Sequence, residues 1–140
     1  MSLTRSEKKF AGKVLVVDDN WITLKLIEKM LMSFDLAPVT ADSGAQALEL
    51  LKGERFDLLF LDCSMPELDG YAVAKKIRAS EAAGAHLRII AFTADDSIEN
   101  RRQCREAGMD GLFPKPYSYT SLEELLGKFL KSSEAPAKVP

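Results

Sequence analysis

Two adjacent aspartates, Asp18 and Asp19, follow the apolar run Val14 to Val17, and a third, Asp62, closes the run Phe56 to Leu61. Thr93 ends the run Leu87 to Phe92, and Lys115 follows Gly111 to Phe113. If these run ends converge, three carboxylates share one pocket. Like charges at that range are tolerated only with a cation between them. Oxygen donors completed by water at ~2.0–2.1 Å suit magnesium, which binds through one or two carboxylates and a phosphate. Lys115 is a point charge able to hold a phosphate oxygen, and Thr93 offers a hydroxyl donor. A carboxylate nucleophile, a hard cation, a hydroxyl and an ammonium are the parts needed for phosphoryl transfer to an aspartate. Taken singly, each is ordinary. An Asp pair caps turns, the segment from Asp62 to Gly70 could be a plain loop with a proline, Thr93 could merely approach a helix, and Lys115 could be a solvated charge. Their joint placement at four run ends carries the reading.

The rest of the chain must bring those ends together. Val14 to Val17 is apolar without alternation, as in a strand buried on both faces. Leu24, Ile27, Leu31 and Phe34 make a helical stripe over 21–34. Leu36 to Thr40 reads as a short strand interrupted by Pro38. Ser43, three before Gln46, predicts a capping-box start to a helix carrying Ala47, Leu48, Leu50 and Leu51. Phe56 to Leu61 is the next strand. A helix over about 70–79 follows, with Tyr71, Val73, Ala74 and Ile77. Leu87 to Phe92 is a fourth strand. Residues 97–107 form a polar helix with Ile98 and Ala107 inward, stopped by Gly108. Gly111 to Phe113 is the last strand, and Leu122, Leu125, Leu126, Phe129 and Leu130 mark a final helix.

Strands alternating with helices imply parallel pairing and right-handed crossovers. Proline cannot donate to a ladder, so Pro38 and Pro114 send the second and fifth strands to the edges and leave the first, third and fourth central. The flavodoxin-like order 2-1-3-4-5 satisfies this and puts a site outside the carboxyl ends of the central strands. The expected fold is an α/β, doubly wound (βα)5 sandwich.

At 140 residues the chain fits one domain, expected over 13–131 between tails at 1–12 and 132–140. A net charge of −2, from 19 basic and 21 acidic residues, gives no electrostatic case for nucleic-acid binding. Cys63 and Cys104 lack metal-ligand spacing and read as free thiols in a reducing compartment, Cys63 being a small, partly buried residue without a catalytic role. His86 is expected at the surface, entering a strand. No apolar run reaches the ~18 residues of a membrane span, and the polar N-terminus lacks a signal peptide's apolar stretch. The expected location is the cytoplasm, with no membrane contact by this domain.

VLVVDDN over 14–20, LDCSMPELDG over 61–70, AFTA over 91–94 and FPKPY over 113–117 together resemble the receiver domains of two-component response regulators, across about residues 13–131. The wording of DCSMPELDG and CREAGMDGLFPKPY is most similar to receivers attached to hybrid sensor histidine kinases. The resemblance implies that Asp62 is the phosphoacceptor, phosphorylated from a phosphohistidine of a histidine kinase or a histidine phosphotransfer domain. It implies that Asp19 and Asp62 ligate magnesium directly, that Asp18 acts largely through water, and that the Ser64 carbonyl completes the protein ligands. Thr93 and Lys115 would grip the phosphoryl oxygens, and a cis peptide would join Lys115 to Pro116. Ser64 and Asp95 would rim the site and tune slow autodephosphorylation. A monomer or weak dimer, signalling by protein contact or as part of a longer hybrid kinase, is the implied setting. The chain departs from the family at Leu112, where an aromatic switch residue is usual, so the output face is expected to rearrange little.

Other functions fit less well. A haloacid-dehalogenase-like phosphatase needs a second carboxylate two residues after its nucleophile, where Ser64 stands. A flavodoxin-like cofactor site needs a phosphate loop after the first strand, where Asp18 and Asp19 would repel the phosphate. A non-phosphorylated pseudo-receiver would have lost Asp62, Lys115 or one of the aspartate pair, and all are present.

Overall fold

In a computed structural model that describes residues 9–81, 86–114 and 118–132, the chain runs β1 (Phe10–Ala11), β2 (Val14–Val17), α1 (Trp21–Met32), β3 (Val39–Ala41), α2 (Gly44–Gly53), β4 (Leu58–Asp62), α3 (Gly70–Ser80), β5 (Arg88–Thr93), α4 (Ile98–Glu106), β6 (Gly111–Pro114), α5 (Tyr119–Phe129) and β7 (Lys131–Ser132). The main sheet has the order β3-β2-β4-β5-β6. All its ladders are parallel. This is the expected 2-1-3-4-5 order. Both strands that the prolines mark lie at the edges: β3 begins only at Val39, just after Pro38, rather than at the expected Leu36, and Pro114 ends β6.

The unbroken apolar runs of β2, β4 and β5 are explained by two cores. Val14, Val16, Leu58, Phe60, Ile90 and Phe92 point to one face and pack with Ile27 and Leu31 of α1 and Leu122 and Leu126 of α5. Leu15, Val17, Leu59, Leu61, Ile89 and Ala91 point to the other, against Ala47, Val73, Ala74 and Cys104 of α2, α3 and α4. Phe60 and Phe92 stack across neighbouring strands at 5.0 Å between centroids. Each fully buried side chain of this size contributes about 1.5–3 kcal/mol relative to exposure.

Three expectations need correction. Ile98 does not face inward: it is 86% exposed. The inward stripe of α4 and its C-terminus is Asn100, Cys104 and Ala107, at i, i+4 and i+7. Ile98 heads a polar helix on its solvent side, where its apolar character does not report the buried face. At α2, Ser43 Oγ accepts from the Gln46 amide at 3.1 Å, but Gln46 Oε1 reaches the Asp42 amide at 2.9 Å rather than that of the cap itself. Finally, Phe10 and Ala11, assigned to a tail, pair antiparallel with Lys131 and Ser132. Phe10 is buried, and its ring meets Phe34 edge-on at 5.8 Å.

Candidate functional site

The carboxyl ends of β2, β4 and β5 form one rim. Beyond β2 the Asp18 amide donates to the Ala41 carbonyl at 3.2 Å, so the turn leaves the sheet in register with β3. Asp18 Oδ1 accepts from the Asn20 amide at 2.9 Å. Asn20 in turn caps α1, accepting from Ile22 and Thr23. Asp19, between them, is exposed.

Asp62 is the last residue of β4 and is 6% exposed. Its Oδ1 accepts from the Ser64 amide at 3.1 Å, which fixes the carboxylate's orientation. The loop then closes back tightly. Gly70 opens α3 against this strand end, its amide reaching the Cys63 carbonyl at 3.3 Å. A Cβ there would lie 2.3 Å from the Asp62 carbonyl oxygen, so the close approach of α3 to the Asp62 backbone requires glycine.

Asp18, Asp19 and Asp62 each offer a carboxylate oxygen within 4.8 Å of the others. Two of the three are buried. Three hard oxygen donors with one side open to water fit magnesium, which keeps several waters and rarely takes an all-protein cage. Cys63 follows Asp62 but turns away: its Sγ lies 4.0 Å from Cys104 Sγ in the second core. Burial, with Cys104 beside it, pushes the Cys63 thiol up to about 12, so it remains a neutral thiol and a poor metal ligand. The expectation of a partly buried Cys63 understates its burial, at 3% exposed.

Thr93 ends β5 and is 9% exposed. Its Oγ1 accepts from the Asp95 amide at 2.9 Å. Asp95 is exposed, and Oδ1 accepts from the Ser97 amide at 3.0 Å at the head of α4. Hydrogen bonds from Ser97 hold its carboxyl below the usual range. Leu112 sits in β6 opposite Ala91, partly buried against the second core. Lys115 and the cis bond expected between it and Pro116 lie outside the described residues. His86 is exposed, as expected, with Nε2 2.7 Å from Asp110 Oδ1.

Two residues of this region are not among the expected site residues: Tyr71, expected only as part of its helix, and Asn100. Asn100, 3% exposed, reaches Thr93 from α4, and the Tyr71 hydroxyl of α3 donates to Asn100. The available signal was the i, i+4, i+7 spacing of Asn100 with Cys104 and Ala107, which puts a polar residue on an inward face.

The response regulator receiver domain model matches residues 14–127. The chain belongs to this family. Within it, the receiver is 38% identical over 129 residues to hybrid signal transduction histidine kinase L of Dictyostelium discoideum, a match covering 89% of this chain and 8% of that protein. The chain thus spans a small fraction of the length of such relatives. Among solved structures, it is similar to the receiver domain of a Pseudomonas aeruginosa sensor histidine kinase with a magnesium ion coordinated in its active site cleft, at 34% identity and TM-score 0.77, over 85% of this chain and 97% of that one. It is also similar to a chain in the complex of the Saccharomyces cerevisiae histidine phosphotransfer protein Ypd1 with the receiver domain of its downstream response regulator Ssk1, at 25% identity and TM-score 0.77, over 89% and 91% of the two chains. No described helix is long and apolar enough to cross a membrane.

Proposed function

We propose that this receiver takes a phosphoryl group on Asp62 from a phosphohistidine, carried by a histidine kinase or a histidine phosphotransfer domain, in a magnesium-dependent reaction. The observation that carries this is the cluster of Asp18, Asp19 and Asp62 at the carboxyl ends of the neighbouring strands β2 and β4. Asp19, Asp62 and the Ser64 carbonyl would hold the ion, with Asp18 acting through water. Magnesium supplies there the positive charge that lets carboxylates and a phosphoryl group share one pocket.

A carboxylate oxygen of Asp62 attacks the phosphorus. The P–N bond to the donor imidazole breaks, the imidazole keeps the electron pair and takes up a proton, and an aspartyl phosphate forms. The Ser64 amide already orients the nucleophile. The Thr93 hydroxyl and the Lys115 ammonium would bind the phosphoryl oxygens. Hydrolysis by water returns the carboxylate slowly, with Ser64 and Asp95 controlling the approach of that water from the rim. The chemistry belongs to this domain, and the relatives' architecture suits a place in a longer hybrid kinase or a relay in the cytoplasm. As a monomer or weak dimer, the domain would present the loops near Asp62 and Asp95 to its partner.

Treatment with acetyl phosphate and magnesium should add one phosphate by intact mass. Asp62→Asn or chelation of magnesium should abolish it. Equal labelling of Asp62→Asn would overturn the assignment.

A further inference from the structure

The buried amide of Asn100 occupies the space behind Thr93, and its bonding decides where the Thr93 proton can go. A threonine hydroxyl has one proton to donate and two lone pairs to accept with. The Asp95 amide fills one lone pair at 2.9 Å, and Asn100 Nδ2 approaches the other at 3.5 Å. Among the described residues, the hydroxyl donates to the Asp95 carbonyl, at the long distance of 3.5 Å. That carbonyl already accepts from Asn100 Nδ2. With both lone pairs engaged from the α4 side and the proton held only by that long bond, the O–H can turn to a stronger acceptor across the rim of the site without giving up the bonds that fix its oxygen.

The direction of the amide is itself set. Turning it over would place Oδ1 against the Asp95 carbonyl, two acceptors facing each other. Instead Oδ1 accepts from the Tyr71 hydroxyl. Burial raises the Tyr71 pKa, so the phenol stays a donor. The Asn100 backbone amide donates to Ser97 Oγ at 3.2 Å. Every polar group of a 3% exposed side chain is therefore used, as a buried network requires if it is to hold one geometry. Tyr71 stands in the first turn of α3 and Asn100 in the first turn of α4. The chain of bonds Tyr71–Asn100–Thr93 links both helices to the hydroxyl.

We propose that Asn100 is a positioning residue that aims the Thr93 hydroxyl at an incoming phosphoryl oxygen, with Tyr71 holding Asn100 in place. This rests on the reading of Thr93 as a phosphoryl ligand. It also supplies a route from the site to α3 and α4 in a receiver whose usual aromatic switch position holds Leu112. A phosphoryl group that draws Thr93 toward Asp62 must pull on Asn100 or break its long contact, and either changes the load on Tyr71.

The test is a double-mutant cycle on affinity for beryllofluoride, a phosphoryl mimic, in saturating magnesium. The sole tryptophan, Trp21, adjoins the Asp18–Asn20 turn and serves as the fluorescent probe. Asn100→Ala should weaken beryllofluoride about tenfold, the effect of losing one oriented hydrogen bond near a charge, with magnesium affinity unchanged. In a Thr93→Ala background the same substitution should change it less than about twofold, because coupled residues are non-additive. Tyr71→Phe keeps the ring and the fold and should show the same dependence on Thr93 with a smaller loss. It decides the matter if Asn100→Ala does not fold. Equal losses with and without Thr93, or a parallel loss of magnesium affinity, would mean that Asn100 merely supports the loop and would overturn the proposal. Unchanged affinity in Thr93→Ala alone would instead remove Thr93 from the phosphoryl site, and the positioning role with it.

Discussion

At position 70 any side chain would meet backbone: 2.3 Å from the Asp62 carbonyl oxygen and 2.9 Å from Cys63 Cα, with no flexible side-chain end to give way. Gly70→Ala should therefore cost about 2 kcal/mol or more, read as a lower urea midpoint, and should slow phosphorylation by displacing Asp62. Equal stability would show that α3 can slide off the strand end. Cys63, beside it, gives a pH signature. Its thiol is raised from 9.0 to about 12 by burial and by Cys104, so folding favours the neutral form. The stability this contributes is intact below the unfolded thiol's value and is lost as pH rises toward about 12. Urea stability of the chain should thus fall more steeply than that of Cys63→Ala over this range, and parallel curves would contradict the burial of the thiol. At this scale the sequence showed Asp18, Asp19, Asp62 and Thr93 because each ends an apolar run. Tyr71 and Asn100 left no such mark. The hydrogen bond between them joins residues 29 apart in the chain, and local patterning does not record a bond of that span.

The elements were legible in proportion to their periodicity. β2, β4 and β5 are built on the apolar runs Val14–Val17, Leu58–Leu61 and Ile89–Phe92, and α1 and α5 carry complete stripes, so each was readable to within a few residues. α4 is mostly charged, and its single large apolar residue is on the wrong side. Ile98→Ala should accordingly change stability by less than about 0.5 kcal/mol. The β1–β7 ladder was illegible because a two-residue strand has no period and its partner lies at the other end of the described chain. Phe10→Ala should nonetheless cost about 3 kcal/mol, since the ring is buried against Phe34. Thermal melts of the two variants separate the cases, and a reversed order would contradict both placements.

On the scale of the molecule, a doubly wound sheet gathers residues far apart in sequence at one rim, and switching must travel from that rim to a surface. Leu112 packs against the second core without a polar group to exchange for one at the surface. A ligand shifts a two-state equilibrium only by its differential interaction with the two states. Beryllofluoride should therefore move backbone amides mainly near Asp62, Thr93 and Asp95 and little along α5. Large shifts along α5, or dimerisation through the α4–β6–α5 face, would show that Leu112 transmits as an aromatic residue does. The central claim is chemical, and the most direct measurement traps the bond itself. Phosphorylate the chain from a phosphorylated histidine phosphotransfer domain with magnesium, reduce with borohydride, and map the peptides by mass spectrometry. An aspartyl phosphate at Asp62 predicts reduction to homoserine at that position alone, and none after magnesium is chelated. Homoserine at Asp18 or Asp19, or at no position while phosphate is still taken up, would contradict it.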